Sequence, residues 1–306
     1  MNLANTVRLH SIVAATHTPF HADGSLNLGG VERQAAHLWA AGVRTVFIGG
    51  TTGESASLTL DERMELAVRW CEVAREVAGM RVVVHAGANC IADARALAAH
   101  AEKVGAVAVS ALAPSYFKPR TVDLLVDCCA EIAAAAPGLP FYYYDIPALT
   151  GVVLPPREFL EKASGRIPNL AGLKFTNPDL MAYLQCLRAG DWDIPWGLDE
   201  WMLGALATGA RGAVGSSFNF AAPLYLGLMA AFERGDLAAA REAQYRSTQL
   251  IALLARHGYM GAAKATMAML GVDVGPARLP NASLSAEQAR ILRGELEALG
   301  FFGWIA

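Results

Sequence analysis

A lysine set in an apolar run offers more chemistry than any other residue in this chain. The segment Leu170-Ala171-Gly172-Leu173-Lys174-Phe175-Thr176 reads as a strand. Its period of two puts Gly172, Lys174 and Thr176 on one face, with Leu173 and Phe175 on the other. An unpaired ammonium is costly to bury, and a lysine so placed gives up its proton more readily. A neutral amine in a dry site attacks ketones and forms a Schiff base. The alternative is a lysine that snorkels to solvent or pairs with a carboxylate.

Four further segments carry groups that such a lysine needs. In Tyr142-Tyr143-Tyr144-Asp145-Ile146-Pro147, alternation puts Tyr142 and Tyr144 on one face. A tyrosine at the final inward position can carry a proton, although tyrosines are also common in cores. Ile48-Gly49-Gly50-Thr51-Thr52-Gly53-Glu54 is a glycine turn whose N–H groups and two hydroxyls suit an anion, or simply a tight turn with capping hydroxyls. Glu54 reads as a structural acceptor for loop N–H groups. Trp196-Gly197-Leu198-Asp199-Glu200 brings two carboxylates to a rim, where they bind hydroxyls of a polyol, hold a metal or cap a helix. Val214-Gly215-Ser216-Ser217-Phe218-Asn219 is a second glycine turn with hydroxyls. The seven histidines are scattered, with only His17 and His85 at strand ends, so no metal is expected. Carbon–carbon chemistry on a keto acid needs an electron sink, either a metal or an iminium. This residue set favours the iminium.

These segments sit at the ends of short apolar runs that alternate with helical patterns. The expected strands are Ser11–Ala15, Val43–Ile48, Arg81–His85, Ala106–Ala111, Leu139–Tyr144, Leu170–Phe175, Asp193–Gly197 and Arg211–Gly215. Each is apolar on both faces, as a parallel strand between a core and a helix layer must be. A capping box at Thr59-Leu60-Asp61-Glu62 opens a helix running to about Ala78. Other helices are expected over about Ile91–Val104, Thr121–Ala136, Pro155–Ala163, Asp179–Arg188, Glu200–Ala207 and Ala221–Arg234. Eight strand-then-helix units over about 230 residues point to an α/β fold, the (β/α)8 TIM barrel. Its active site lies at the C-terminal ends of the strands. The first strand is not followed by Gly-x-Gly-x-x-Gly, which counts against a dinucleotide-binding sheet. Beyond residue 235, Leu237–His257, Ala262–Leu270 and a helix opened by the capping box Ser285-Ala286-Glu287-Gln288 add helices to the barrel. One domain is expected, with the barrel over 10–235 and a helical extension over 236–306.

Composition limits the partners. The 306 residues are 54% hydrophobic and 17% charged, which excludes disorder. The net charge of −3, without blocks of one sign, makes a nucleic acid or an anionic membrane surface an unsuitable partner. A small molecule fits better. Five cysteines in no metal-like spacing read as reduced thiols of a cytoplasmic protein. Met1-Asn2-Leu3-Ala4-Asn5 lacks a signal peptide's long apolar run, and Phe218 to Phe232 is too short and too broken to span a bilayer.

Taken together the motifs resemble the N-acetylneuraminate lyase / dihydrodipicolinate synthase family of pyruvate-dependent Schiff-base barrels. The markers are Gly50-Thr51-Thr52-Gly53-Glu54, Tyr144-Asp145-Ile146-Pro147-Ala148-Leu149-Thr150-Gly151, Gly172-Leu173-Lys174 and Gly212-Ala213-Val214-Gly215-Ser216. The resemblance covers nearly the whole chain. It implies Lys174 as the Schiff-base lysine, Tyr144 as proton carrier, and Thr51 and Thr52 as holders of the substrate carboxylate. The synthase branch carries an arginine where this chain has Leu149. The Gly-x-Asp-Glu signature at Gly197, Asp199 and Glu200, and Thr176 two residues after the lysine, are similar to the sialic-acid lyase branch. By that resemblance Thr176, Gly197, Asp199, Glu200 and Ser216 read a sugar acid. The reaction implied is reversible cleavage of N-acetylneuraminate to pyruvate and N-acetylmannosamine. Another 2-keto-3-deoxy sugar acid aldolase or dehydratase is the rival, and a non-catalytic keto-acid-binding regulator is a distant third. The family implies a cytoplasmic homotetramer without cofactor or metal, and Tyr116 matches a position that some members pass into a neighbour's site. Asp145 stands where Asn or His is usual, and Phe218 where Tyr is usual.

Overall fold

A computed structural model describes residues 7–77 and 79–305. Met1–Asn5 and Ala78, both used in the sequence reading, lie outside the described residues. Among the described residues, seven strands form one parallel sheet. β1 (Ser11–Ala15) pairs with β2 (Thr45–Ile48), and the order continues through β3 (Arg81–His85), β4 (Ala108–Leu112) and β5 (Phe141–Asp145) to β6 (Leu170–Phe175). On its other side β1 pairs with β7 (Gly212–Gly215). The sheet therefore curls until β6 and β7 face each other across a seam.

Segment 193–197 fills that seam. The Asp193 N–H donates to Ala171 O at 3.0 Å, and the Gly197 N–H to Phe175 O at 2.7 Å. On the far edge the Trp196 N–H donates to Gly212 O at 2.9 Å, and the Val214 N–H to Trp196 O at 2.7 Å. Contrary to the sequence reading, this segment is not a regular strand but a set of isolated parallel bridges. Pro195 stands in its middle without an N–H and breaks the ladder. Gly172 allows the closure, since a Cβ there would lie 1.9 Å from Asp193 O. The result is the expected (β/α)8 barrel, with one of its eight strands reduced to bridges.

Two cores follow from strand alternation. Val13, Ala15, Phe47, Val83, Ala108, Tyr142, Tyr144, Ala171 and Val214 fill the lumen with their neighbours. The opposite faces, including Val46, Val84, Tyr143, Leu173 and Phe175, pack against the helices. The β5–β6 register slips at Phe141/Tyr142, so β6 is bulged near Ala171. That bulge puts Ala171 in the lumen, although a strict period of two would put it outside with Leu173.

The helix layer runs α1 (Gly30–Ala40), α2 (Leu60–Glu76), α3 (Ile91–Val104), α4 (Val122–Ala133), α5 (Pro147–Thr150), α6 (Pro156–Ala163), α7 (Leu180–Leu187), α8 (Met202–Thr208) and α9 (Phe218–Glu233). The α2 capping box forms as expected, with Thr59 and Glu62 satisfying each other's backbone N–H groups. α1 has no side-chain cap, which is why no start signal marks it in the sequence. Where a helix was expected from Glu200, a short 3-10 turn over Asp199–Trp201 precedes α8. α9 is kinked at Ala221 and contains Pro223, which cannot donate to Asn219 O. His37 of α1 fills that vacancy, donating from Nε2 to Asn219 O at 2.9 Å. After α9 come α10 (Leu237–Arg256), α11 (Tyr259–Met269), α12 (Ala286–Leu299) and α13 (Phe301–Trp304), with α10 packed on α9. Ser285 and Gln288 form the second capping box. No described helix is long and apolar enough to cross a membrane. All five cysteines are unpaired; Cys71, Cys129 and Cys186 are buried, whereas Cys90 is exposed rather than packed.

Candidate active site

The C-terminal rim of the barrel gathers the groups singled out in the sequence. Lys174 lies on β6 with only 4% of its surface exposed. Its Nζ stands 3.9 Å from the centre of the Tyr144 ring and 4.5 Å from that of Phe47. These rings and the apolar lumen keep water away from the amine. His85, at the end of β3, packs edge-on against Tyr144 with ring centres 5.8 Å apart. Its Nδ1 donates to Gly49 O at 3.0 Å. Burial, reinforced by the neighbouring Arg63 charge, holds its pKa well below the usual imidazole range, so the ring beside Tyr144 is neutral.

Of the two inward tyrosines, only Tyr144 points its hydroxyl at this rim. The Tyr142 hydroxyl is occupied at the other end of the lumen, donating to Asp193 Oδ2 at 2.7 Å. The Tyr144 hydroxyl lies 3.4 Å from Thr51 Oγ1. Thr52 is buried and its hydroxyl meets Ser216 Oγ at 2.6 Å, which joins the β2 and β7 turns. Thr51 is exposed toward the mouth of the site.

The opposite wall comes from the seam. Thr176 lies against Gly197 so closely that a Cβ there would sit 1.9 Å from Thr176 Oγ1. The Thr176 hydroxyl is buried and without a protein partner, free to bond a ligand hydroxyl. Asp199 and Glu200 behave differently from each other. Asp199 is buried, and its Oδ2 accepts from the Ser217 N–H at 2.8 Å and from the Ser217 hydroxyl. Burial pushes its pKa up to about 6, against the two Ser217 hydrogen bonds that pull it down. Part of Asp199 thus serves the β7 turn, while Glu200 is half-buried at the rim.

Several neighbours were given no role by the sequence. Phe47 and His85 look like ordinary strand residues until the barrel closes around Lys174. Ser217 joins Asp199 to Tyr225, whose hydroxyl it meets at 2.6 Å. Tyr259 opens α11, outside the eight units, yet its hydroxyl faces Ser216, Asp199 and Glu200. Desolvation and the Asp199 charge hold that phenol protonated well above its usual range. Asp145, by contrast, turns its carboxyl away from the lumen toward Asn177 and Cys186. Leu149 is 62% exposed, and Phe218 is fully buried against Tyr225. Glu54 accepts backbone and side-chain donors, as its sequence context suggested, but they come from distant Arg278 and Asn281.

A parallel eight-unit barrel with a buried lysine on its sixth strand, a phenol over the amine and hydroxyl-lined turns on two sides defines a Schiff-base type of barrel enzyme. Residues 8–299 match the dihydrodipicolinate synthetase family, and the chain belongs to that family. It is 37% identical over 303 residues to an N-acetylneuraminate lyase of Pongo abelii, covering 97% of this chain and 94% of that one. It is 40% identical over 277 residues to N-acetylneuraminate lyase A of Xenopus laevis, covering 89% and 90%. Among solved structures, an N-acetylneuraminate lyase of Proteus mirabilis superposes with a TM-score of 0.93 at 40% identity, covering 96% of this chain and all of that one.

Proposed function

We propose that the protein is a class I aldolase that cleaves N-acetylneuraminate reversibly to pyruvate and N-acetylmannosamine. The observation that carries the reading is the Lys174 amine, buried in an apolar lumen beneath the Tyr144 ring. Its chemistry needs no added electron sink. Lys174 Nζ attacks the C2 ketone of the open-chain sugar acid, and loss of water leaves a protonated imine. The electrons of the C3–C4 bond flow into that imine as the bond breaks, while Tyr144 takes the C4 hydroxyl proton as its own phenol proton passes to the substrate carboxylate. N-acetylmannosamine leaves as the aldehyde. The enamine regains a proton at C3, and water releases pyruvate from Lys174.

Thr51 and Thr52 hold the carboxylate through backbone N–H and hydroxyl groups, and Thr51 orients Tyr144. Thr176, Gly197, Asp199, Glu200 and Ser216 read the sugar hydroxyls. In the same reading the chain is one domain, works in the cytoplasm and assembles as a homotetramer. Support for assembly comes from the exposed apolar residues Tyr116, Phe117 and Val153 around a groove of about 570 Å³. Light scattering on the purified protein checks the fourfold mass.

Trapping tests the central claim. Incubation with pyruvate and borohydride should add a reduced pyruvyl group at Lys174, located by peptide mass spectrometry. Equal labelling of Lys174→Ala would sink the assignment. A product assay over a panel of sugar acids tests the substrate, and a preference for a six-carbon 2-keto-3-deoxy acid would replace it.

A further inference from the structure

Behind the Thr51–Thr52 turn lies a buried ionic assembly that the reaction itself does not use. Glu54 has left-handed backbone angles, φ 54° and ψ 36°, which a residue with a side chain adopts at a cost. Its Oε1 pairs with Lys264 Nζ of α11 at 2.8 Å, with side-chain exposures of 0% and 2%. Its Oε2 accepts from the Arg278 N–H at 2.8 Å and from Asn281 Nδ2 at 3.3 Å. Lys264 Nζ also donates to Thr18 O at 3.0 Å and Pro276 O at 2.7 Å. The Arg278 guanidinium then grips the outer side of the same loop through Ser57 O at 2.9 Å and the Glu62 carboxylate. Thr18 Oγ1 donates to Gly53 O at 2.6 Å, one residue before Glu54. The turn is therefore tied to three distant stretches of chain on the face away from the lumen.

A buried ion pair is weak evidence for stability, because desolvation offsets its attraction and an apolar pair of similar volume often holds a fold as well. What the pair adds is direction. It fixes Glu54 where a flexible turn would relax out of the left-handed region. The two residues before Gly53 carry the hydroxyls that meet the Tyr144 hydroxyl and Ser216 Oγ. We propose that the Lys264–Glu54 pair, anchored by Arg278, is a positioning device that holds the Thr51–Thr52 turn in the geometry that receives the keto-acid carboxylate. This rests on the reading above in which that turn binds the carboxylate. The groups facing the pair are His17, buried beside the Thr52 backbone, and the charges of Arg278 and Asp273. Burial and the Lys264 charge hold His17 neutral, with its pKa lowered to about 3. Lys264 and Glu54 touch no substrate; they act through the turn.

The test compares two ketones that differ only in the carboxylate. Borohydride trapping at Lys174 is titrated with pyruvate and with acetone, in the wild type and in Lys264→Met. Losing the alignment of one charge-assisted contact should raise the half-saturating pyruvate concentration roughly tenfold or more, with acetone trapping unchanged. Leu125→Ala, a buried truncation in α4 across the barrel, should lower the melting temperature and move neither titration. If Lys264→Met does not fold, Glu54→Gln combined with Lys264→Met removes both buried charges together and is titrated in its place. Equal shifts for the two ketones, or none, overturn the proposal. Failure of wild-type pyruvate to label Lys174 at all would instead overturn the underlying functional reading.

Discussion

Replacing Asp145 by Asn should stabilise the protein at neutral and alkaline pH and change little in acid. Asp145 ends β5 with 3% of its surface exposed, and its Oδ2 has no hydrogen-bond partner. Burial pushes its pKa from 3.8 to about 7, opposed only in part by a hydrogen bond from Asn177. The folded state therefore holds this proton more tightly than the unfolded chain. Its penalty is absent below about pH 4, grows as pH rises toward 7, and is complete above. At about 1.4 kcal/mol per pH unit, a gap between 3.8 and about 7 is worth on the order of 4 kcal/mol. Asn keeps the shape and the acceptor for Asn177 and never ionises. Melting curves of wild type and Asp145→Asn across pH 5 to 8 read the difference directly. The variant's advantage should widen by on the order of 2–3 kcal/mol over that range, which is a rise of several °C in relative melting temperature. A constant difference across the range would mean that burial does not penalise this carboxylate.

Tyr144→Phe should keep pyruvate trapping at Lys174 while single-turnover cleavage falls by about 10²–10⁴-fold; a loss well under tenfold would remove the phenol from the proton path. For the rim carboxylates, Glu200→Gln should lower kcat/KM for the nine-carbon sugar acid by roughly ten- to 150-fold and spare a six-carbon keto-deoxy acid. Asp199 binds hydroxyls best when ionised, and its pKa is raised to about 6, so the nine-carbon acid should show an acid limb near that pH. Asp199→Asn should abolish the limb, and its persistence would assign it elsewhere. Gly197→Ala puts a methyl 1.9 Å from Thr176 Oγ1, which should cost about 1–3 kcal/mol in a melting assay. Adding Thr176→Ala should return only part of it, because the Cβ and Cα of residue 176 stay 2.8 and 2.9 Å from the new methyl, and no recovery at all would place the strain outside the hydroxyl contact.

Much of the barrel could be read from local pattern. Apolar runs with helices between them gave the strand positions to within a residue or two, and the two capping boxes marked α2 and α12 where they form. Those features depend on neighbours a few residues away, so the sequence displays them directly. The inward direction of Lys174 and Tyr144 was equally legible, because side-chain alternation is a local property of a strand. α1 was silent because it begins without a capping side chain, and the seam at 193–197 looked like any other strand because its bridges depend on Pro195 and on Gly172 of another segment.

Residue types and spacing alone determined that an amine, a phenol and two hydroxyl-bearing turns would meet at one end of a barrel. Position at the strand end already singled out Tyr144, but what occupies Tyr142 follows only from its finding Asp193, 51 residues away. Residue types and spacing could not divide the labour of Asp199 and Glu200, adjacent in sequence and alike in charge. Only the packed β7 turn brings Ser217 to Asp199 and leaves Glu200 at the rim. The ties on Glu54 span more than 200 residues, from the β2 turn to α11 and the segment beyond it. Such contacts form only when distant stretches of chain are packed together, and no local period encodes which side chain will be waiting there.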